Sequence, residues 1–489
     1  MLNLKSVDLK KEEIETLIIP VCEDKDIHED ETISSLVKKA KKLKEFKGEK
    51  GDELILFNLP EVKAERVIFL GMGKLEKLEL ETLRALAGKA VKKCIQKNLS
   101  EVMISVPPAQ KIQKEMSSLL EALLEGAYLG NHLFDKYKKE KKHKPLKNIN
   151  LFVKPNIAKQ FTRLPSRVTN ICKGTILARE WVSTPSNDKR PEQFTRSIAA
   201  LARKANLKVN VLDEKALKQK KFGAILAVAA GSNSNPRMVV LEYNPKGAKK
   251  TIVLVGKGVT FDSGGINLKP RTGLEEMKID MSGAAAVAAT LITVTKIKPK
   301  VKVVGIIPIV ENMPSGNASR PGDIIKTYEG KTVEIGNTDA EGRLILADAM
   351  SYAIEKYKPQ ILIDVATLTG SCVVALGEKI AGVFSFDDEL AEVIVQSGKK
   401  TYERCWRLPM PDDYKELLKS DLADLNNVGK SRWGGAITGA LFLSEFVGDV
   451  SWAHIDIAGP AYNKKENAYC EAGGTGFGVR LFCDLLKKL

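Results

Sequence analysis

The stretch "TIVLVGKGVTFDSGGINLKP", Thr251 to Pro270, opens with four consecutive aliphatic residues, Ile252 to Val255, and runs into a glycine-rich loop carrying Lys257, Asp262 and Lys269. A short run apolar on both faces is the pattern of a sheet strand covered by helices on each side, which predicts an α/β fold. In open α/β sheets functional groups collect beyond the carboxyl ends of the strands. The segment therefore predicts where the chemistry lies as well as the fold class. Its Gly256-Lys257-Gly258 start approaches a dinucleotide fingerprint, but Phe261 stands at the third glycine position and Asp262 follows at once. A phosphate would meet the wrong charge there.

The same rhythm extends on both sides. "KVNVL", "AILAVAA", "RMVVLEY", "KVVGIIPIV", "TVEIG", "ILIDVATL" and "WAHIDIAG" read as further strands of one sheet, with helices near Gly283–Thr295, Leu344–Tyr357 and Ala436–Val447 between them. Upstream, "ELILFNL", "ERVIFLGM", "EVMISV" and "INLFV" alternate with the amphipathic stretches "LETLRALAGKAVKKCIQK" and "KEMSSLLEALLEGAYLGNHLF", the signature of another layered α/β unit. "SRVTNICKGTILAREW" has helical periodicity and ends at "STPSNDKRP", where Pro185 and Pro191 mark a connection. The expected organisation is a smaller N-terminal α/β domain over residues 1–160, a linker helix over 161–185, and a larger catalytic α/β domain over 186–489 with a mixed, mainly parallel sheet covered by helices.

At 489 residues, 44% hydrophobic and 28% charged, the chain has the balance of a globular protein. Apolar runs such as Gly283–Val294 have the length of a buried helix rather than a membrane span, and the N-terminus mixes both charge signs, so a cytoplasmic location with no membrane contact is expected. Seven cysteines without CxxC spacing read as reduced core residues. The net charge of +16 favours polyanions, which makes DNA binding an alternative role. Its lysine runs, Lys38–Lys50 and Lys136–Lys144, nevertheless read as a solvated helix face and a solvated loop.

Two more loops carry charge. "MKIDMSGAAA" places Asp280 before an alanine-rich helix, where a lone aspartate is most often a helix cap. "GNTDAEGRL", Gly336 to Leu344, crowds Asp339, Glu341 and Arg343 between a strand and a helix. Together three strand-exit loops supply four carboxylates, two lysines and an arginine. Carboxylates so grouped repel and raise one another's pKa unless cations intervene, and four suit two divalent ions. The four histidines, His28, His132, His143 and His454, form no HExxH pair, and His454 in "WAHIDIAG" reads as a satisfied core residue. Oxygen ligands admit Mg²⁺ or Mn²⁺ as readily as Zn²⁺. A two-metal phosphohydrolase would use the same carboxylates.

"VGKGVTFDSGGINLKP", "MKIDMSGAAA" and "NTDAEGRLILADAM" closely resemble the leucyl aminopeptidases, or cytosol aminopeptidases, of the M17 peptidase family, with "NTDAEGRL" the most diagnostic element. "WVSTPSNDKRP", "DVATLTGS", "GGAITGALFLSEFV" and "WAHIDIAGP" extend the likeness over the second domain. The resemblance implies Lys257, Asp262, Asp280, Asp339 and Glu341 as ligands of two divalent ions, Mn²⁺ or Zn²⁺, with Lys257 binding as a neutral amine. It implies Lys269 and Arg343 as catalytic residues, Lys269 stabilising a gem-diolate and Arg343 holding a bicarbonate that serves as general base. Met277, Thr367 and Gly370 would line the pocket for the substrate's first side chain. Peptide substrates and a homohexamer of two trimers are implied in the same way.

Overall fold

The computed structural model describes residues 1–489, which divide into two compact α/β units. One comprises Met1–Cys172 with Lys465–Ala472; the other comprises Lys173–Lys464 with Gly473–Leu489. The chain thus passes between units within the helix Leu164–Ser183. The eight-residue return of the C-terminal region to the first unit has no local signature in the sequence.

In the first unit six strands lie in the order Leu2–Lys5, Asn148–Phe152, Glu101–Ser105, Leu17–Val21, Arg66–Gly71 and Glu53–Phe57. All neighbours are parallel except the last pair, which is antiparallel. The helix Glu31–Lys42 buries Ile33, Leu36, Val37 and Ala40 and leaves Lys38, Lys39 and Lys42 in water. Lys136 to Lys142 are exposed on a loop.

The second unit holds a nine-stranded sheet. Its main path is Cys405–Arg407, Ala381–Phe384, Ser451–Asp456, Ile361–Ala366, Thr251–Gly256, Lys302–Asn312, Arg237–Tyr243 and Lys208–Leu212, with Gly258–Asp262 pairing beside Lys302–Asn312. The central strands are parallel and Arg237–Tyr243 runs against its neighbours. Val253, Val255, Val304 and Ile306 pack into a core with the helix Glu341–Tyr357. Gly305, pointing the other way, faces Val287 and Leu291 of the helix Ser282–Ile297. Both sheet faces are therefore dry, which is why the strands read as continuous apolar runs. By length and composition Leu274–Ile297 could cross a membrane, yet 83% of its most apolar window is buried in the fold. All seven cysteines are buried and none is in a disulfide.

Three expectations need correction. "AILAVAA" is not a strand: Gly223–Ala229 is a helix, begun by the carboxylate of Asp348, whose Oδ2 accepts the amide of Ile225 at 2.9 Å. A short apolar run rich in alanine does not choose between strand and helix by itself. The strand before "NTDAEGRL", Thr332–Glu334, belongs to a separate three-stranded sheet with Ile324–Lys326 and Leu425–Asn426, so the three loops do not leave one sheet. The helix expected from Leu344 starts at Glu341, which puts Glu341 and Arg343 in its first turn.

Candidate active site

Backbone contacts gather the three loops. The amide of Lys257 donates to Val365 O at 3.1 Å and its carbonyl accepts from Ala284 N at 2.8 Å, fixing the exit of strand Thr251–Gly256 between its neighbouring strand and the helix behind it. Val259 N donates to Asp280 O at 3.3 Å, so the second loop rests on the first. Gly264, at φ +88°, turns the chain back in a conformation L side chains rarely adopt, and a Cβ there would lie 3.0 Å from Asp339 Oδ1. Gly342 leaves room for Lys257, whose Cε would be 2.5 Å from an added Cβ.

A cavity of about 290 Å³ results, lined by Lys257, Asp262, Lys269, Met277, Asp280, Asp339, Glu341, Thr367 and Gly370 among others. Nine of the ten residues singled out in the sequence thus share one pocket. Lys257 Nζ stands 2.7 Å from Asp280 Oδ1 and 2.9 Å from Glu341 Oε1, and Lys269 Nζ 2.8 Å from Asp262 Oδ2 and 2.5 Å from Asp339 Oδ1. The Asp280 side chain does not cap the helix Ser282–Ile297, whose N-cap is Met281; its Oδ1 also accepts from Thr367 Oγ1 at 2.7 Å.

Four carboxylates against two ammonium groups leave a formal charge of −2 in a cleft where Lys257, Asp262, Asp280 and Glu341 are buried and Lys269 and Asp339 stay partly exposed. Burial pushes Asp339 up to about 6, reinforced by Asp262 and Glu341 against the pull of Lys269. Burial likewise drives Asp280 upward, opposed by Lys257 and reinforced by Glu341 and Asp262. For Lys257 burial works against the charge, but Asp280, Glu341 and Asp262 outweigh it and hold the ammonium above lysine's ordinary pKa. Two buried carboxylate oxygens, Asp280 Oδ2 and Glu341 Oε2, have no hydrogen-bond partner. An unpartnered buried anion is costly. Asp262, Asp280 and Glu341 also offer oxygens within 4.8 Å of one another. Excess negative charge, converging oxygens and unpartnered acceptors fit hard divalent cations.

Arg343 lies just behind this pocket. Its Nη1 donates to Asn427 O at 2.7 Å while its Nε is buried without a partner. Burial lowers its pKa to about 10, partly offset by Glu341 and Asp456, and the guanidinium stays charged at neutral pH. Asn427 escaped the sequence reading: its side chain accepts from Gly336 N and Asn337 N and donates to Asn337 O, pinning the Asn337–Leu344 loop from 90 residues away. Asn312 did too; its Nδ2 donates to Asp262 Oδ1 at 2.9 Å and Thr338 O at 3.0 Å. Neutral amides at such separations carry no local pattern. His454 is fully buried with Nδ1 2.6 Å from Asp364 Oδ1, but its Nε2 lacks a partner, so it is only half satisfied.

Residues 176–483 match the catalytic domain of the cytosol aminopeptidase family, and residues 22–141 match that family's N-terminal domain. The chain belongs to the cytosol aminopeptidase family. It is accordingly a hydrolase of the metalloexopeptidase type. A probable cytosol aminopeptidase of Chlorobium phaeobacteroides is 41% identical over 498 residues, covering 98% of each chain. Another from Chlorobaculum tepidum is 44% identical, covering 91% of this chain and 90% of its own. Among solved structures, the bottromycin maturation enzyme BotP is 32% identical with a TM-score of 0.86, covering 97% of this chain and 99% of its own. The same enzyme in complex with Mn superposes with a TM-score of 0.85.

Proposed function

We propose that this cytosol aminopeptidase family member removes N-terminal residues, leucine among them, from peptides, with Asp262, Asp280, Asp339 and Glu341 holding two divalent ions together with Lys257, whose ammonium would lose its proton in the field of the cations and bind as a neutral amine. The observation that carries the reading is the pair of unpartnered buried oxygens, Asp280 Oδ2 and Glu341 Oε2, inside a cluster of excess negative charge. When bound, such ions would acidify a water and polarise the scissile carbonyl. The protein's own groups do the rest. Lys269 reaches the cavity with its ammonium held above the ordinary lysine pKa by Asp262, Glu341 and Asp339 against the effect of burial, so it stays charged and can stabilise a developing oxyanion. Arg343, charged and with its Nε unengaged, is suited to hold an anion such as bicarbonate as proton acceptor beside the helix N-terminus at Glu341.

A substrate's free α-amino group could ligate one of these ions as a neutral amine, whereas an acylated nitrogen offers no basic lone pair, so peptides with a free N-terminus are favoured. Met277, Thr367 and Gly370 line the cavity where the first side chain would lie, and nothing stands within 4 Å of an added Cβ at Gly370. We take Mn²⁺ or Zn²⁺ as the working ions, a cytosolic location and a homohexamer as parts of this reading, supported by the family likeness.

The test is hydrolysis of leucine p-nitroanilide by the purified protein, after chelation and again after adding Mn²⁺ or Zn²⁺, beside Glu341→Ala. Activity should vanish on chelation, return with metal, and stay absent in the variant. A folded wild type silent under every metal would end the reading, as would equal cleavage of an N-acetylated and a free leucyl peptide.

A further inference from the structure

The segment "WVSTPSNDKRP", Trp181 to Pro191, lies outside the cavity, yet it holds one of the least expected groups in the fold. Lys189 is only 2% exposed, and no carboxylate is among its partners. Its Nζ donates to Trp181 O at 2.9 Å, Val182 O at 3.2 Å and Lys278 O at 2.7 Å, with Met281 Sδ at 3.3 Å. Three carbonyls use up the three N–H bonds of an ammonium, so the geometry calls for the charged form even though burial pulls its pKa well below the lysine value.

Two of those carbonyls belong to the last turn of the helix Leu164–Ser183, where a cation satisfies unpaired acceptors and complements the helix dipole. The third sits between Met277 and Asp280, in the short 3₁₀ turn Leu274–Ile279 that delivers both to the cavity. Three residues before Lys189, Ser186 Oγ donates to Thr260 O at 2.9 Å, two residues ahead of Asp262. One connection therefore grips the backbone of both loops that carry the pocket's buried aspartates.

We propose that Trp181–Pro191 is a clamp on the metal-site loops, in which Lys189 is a positioning residue that sets Asp280 and Met277 and Ser186 is a lesser one for Asp262. This rests on the aminopeptidase reading of the cavity. A buried ammonium suits the task because an apolar side chain of equal length fills the space but leaves three carbonyls facing nothing. The helix end and the turn are then free to separate.

The test compares Lys189→Met and Ser186→Ala with wild type in the full-length protein. Lys189→Met keeps the unbranched shape of the side chain, one heavy atom shorter, and removes the charge. Leu212→Ala, a core truncation at a residue outside the cavity, serves as a control for general loss of stability. Each is read for melting temperature, for Mn²⁺ affinity by calorimetry after chelation, and for kcat and KM on leucine p-nitroanilide. The expected result is at least a tenfold loss of Mn²⁺ affinity and a raised KM in Lys189→Met, a smaller loss of affinity in Ser186→Ala, and wild-type values for both quantities in Leu212→Ala. Melting points that fall while Mn²⁺ affinity and KM match those of Leu212→Ala would reduce Lys189 to ordinary structure and overturn the clamp. If Lys189→Met does not fold, Ser186→Ala decides, and unchanged Mn²⁺ affinity there refutes the proposal. A wild type that binds Mn²⁺ without hydrolysing peptide removes the aminopeptidase reading, while the affinity series still judges the clamp.

Discussion

Arg343 is buried, charged and only partly engaged, with one N–H on Asn427 O and its Nε on nothing. Its side chain makes no ion pair with the carboxylates that surround Lys257 and Lys269. Arg343→Ala should therefore lower kcat by on the order of 10² to 10⁴, the range for removing acid–base assistance, with metal content by elemental analysis close to wild type. Loss of metal from that variant would break the division of labour. Gly342 makes the complementary case. An added Cβ would come within 2.5 Å of Lys257 Cε and 2.8 Å of its Nζ, so the lysine must swing away from Asp280 and Glu341. Gly342→Ala should cost little in melting temperature and much in activity; equal activity would show that Lys257 adapts without consequence. These residues were legible because they crowd three short motifs. Asn427, Asn312 and Lys189 were not, since each acts on a backbone that only the folded chain brings near.

At the scale of an element, the helix Gly223–Ala229 shows why local reading stops short. What settles helix over strand is Asp348, more than a hundred residues away, accepting from Ile225 N at 2.9 Å and from Tyr328 N at 2.7 Å. The carboxylate is fully buried, and burial pushes it up to about 7 in spite of these amides. An aspartate raised above its unfolded value destabilises the fold most when it is ionised in both states, above pH 7. As pH falls from 8 to 5 the native chain takes up a proton before the unfolded chain does, and stability rises, by about 3 kcal/mol over this range. Asp348→Asn cannot titrate. The gap in urea midpoint between wild type and Asp348→Asn should shift toward wild type at pH 5 relative to pH 8. A gap that stays constant would mean that the backbone amides keep Asp348 ionised throughout.

At the scale of the whole molecule, strand and helix periodicity made two α/β units legible, but not that residues 465–472 leave one unit for the other and return. Their attachments lie far off in sequence. Tyr469 Oη donates to Glu81 Oε1 at 2.9 Å, Lys92 Nζ donates to Glu466 Oε2 at 3.0 Å and Asn467 O at 2.7 Å, and Glu471 Oε2 accepts from Phe134 N at 2.8 Å. Tyr469 and Cys470 are buried by that docking, while the flanking strands Tyr462–Asn463 and Gly473–Gly474 pair with each other in the second unit. Protection from hydrogen exchange is shared within cooperative units rather than along the chain. In the full-length protein under rising, sub-denaturing urea, peptides covering 465–472 should lose protection together with the helix Leu80–Gln96. The flanking strands should follow the nine-stranded sheet. Exchange of 465–472 in step with those strands instead would show that the return segment is held by its sequence neighbours, and that its contacts to Glu81 and Lys92 contribute nothing to its stability.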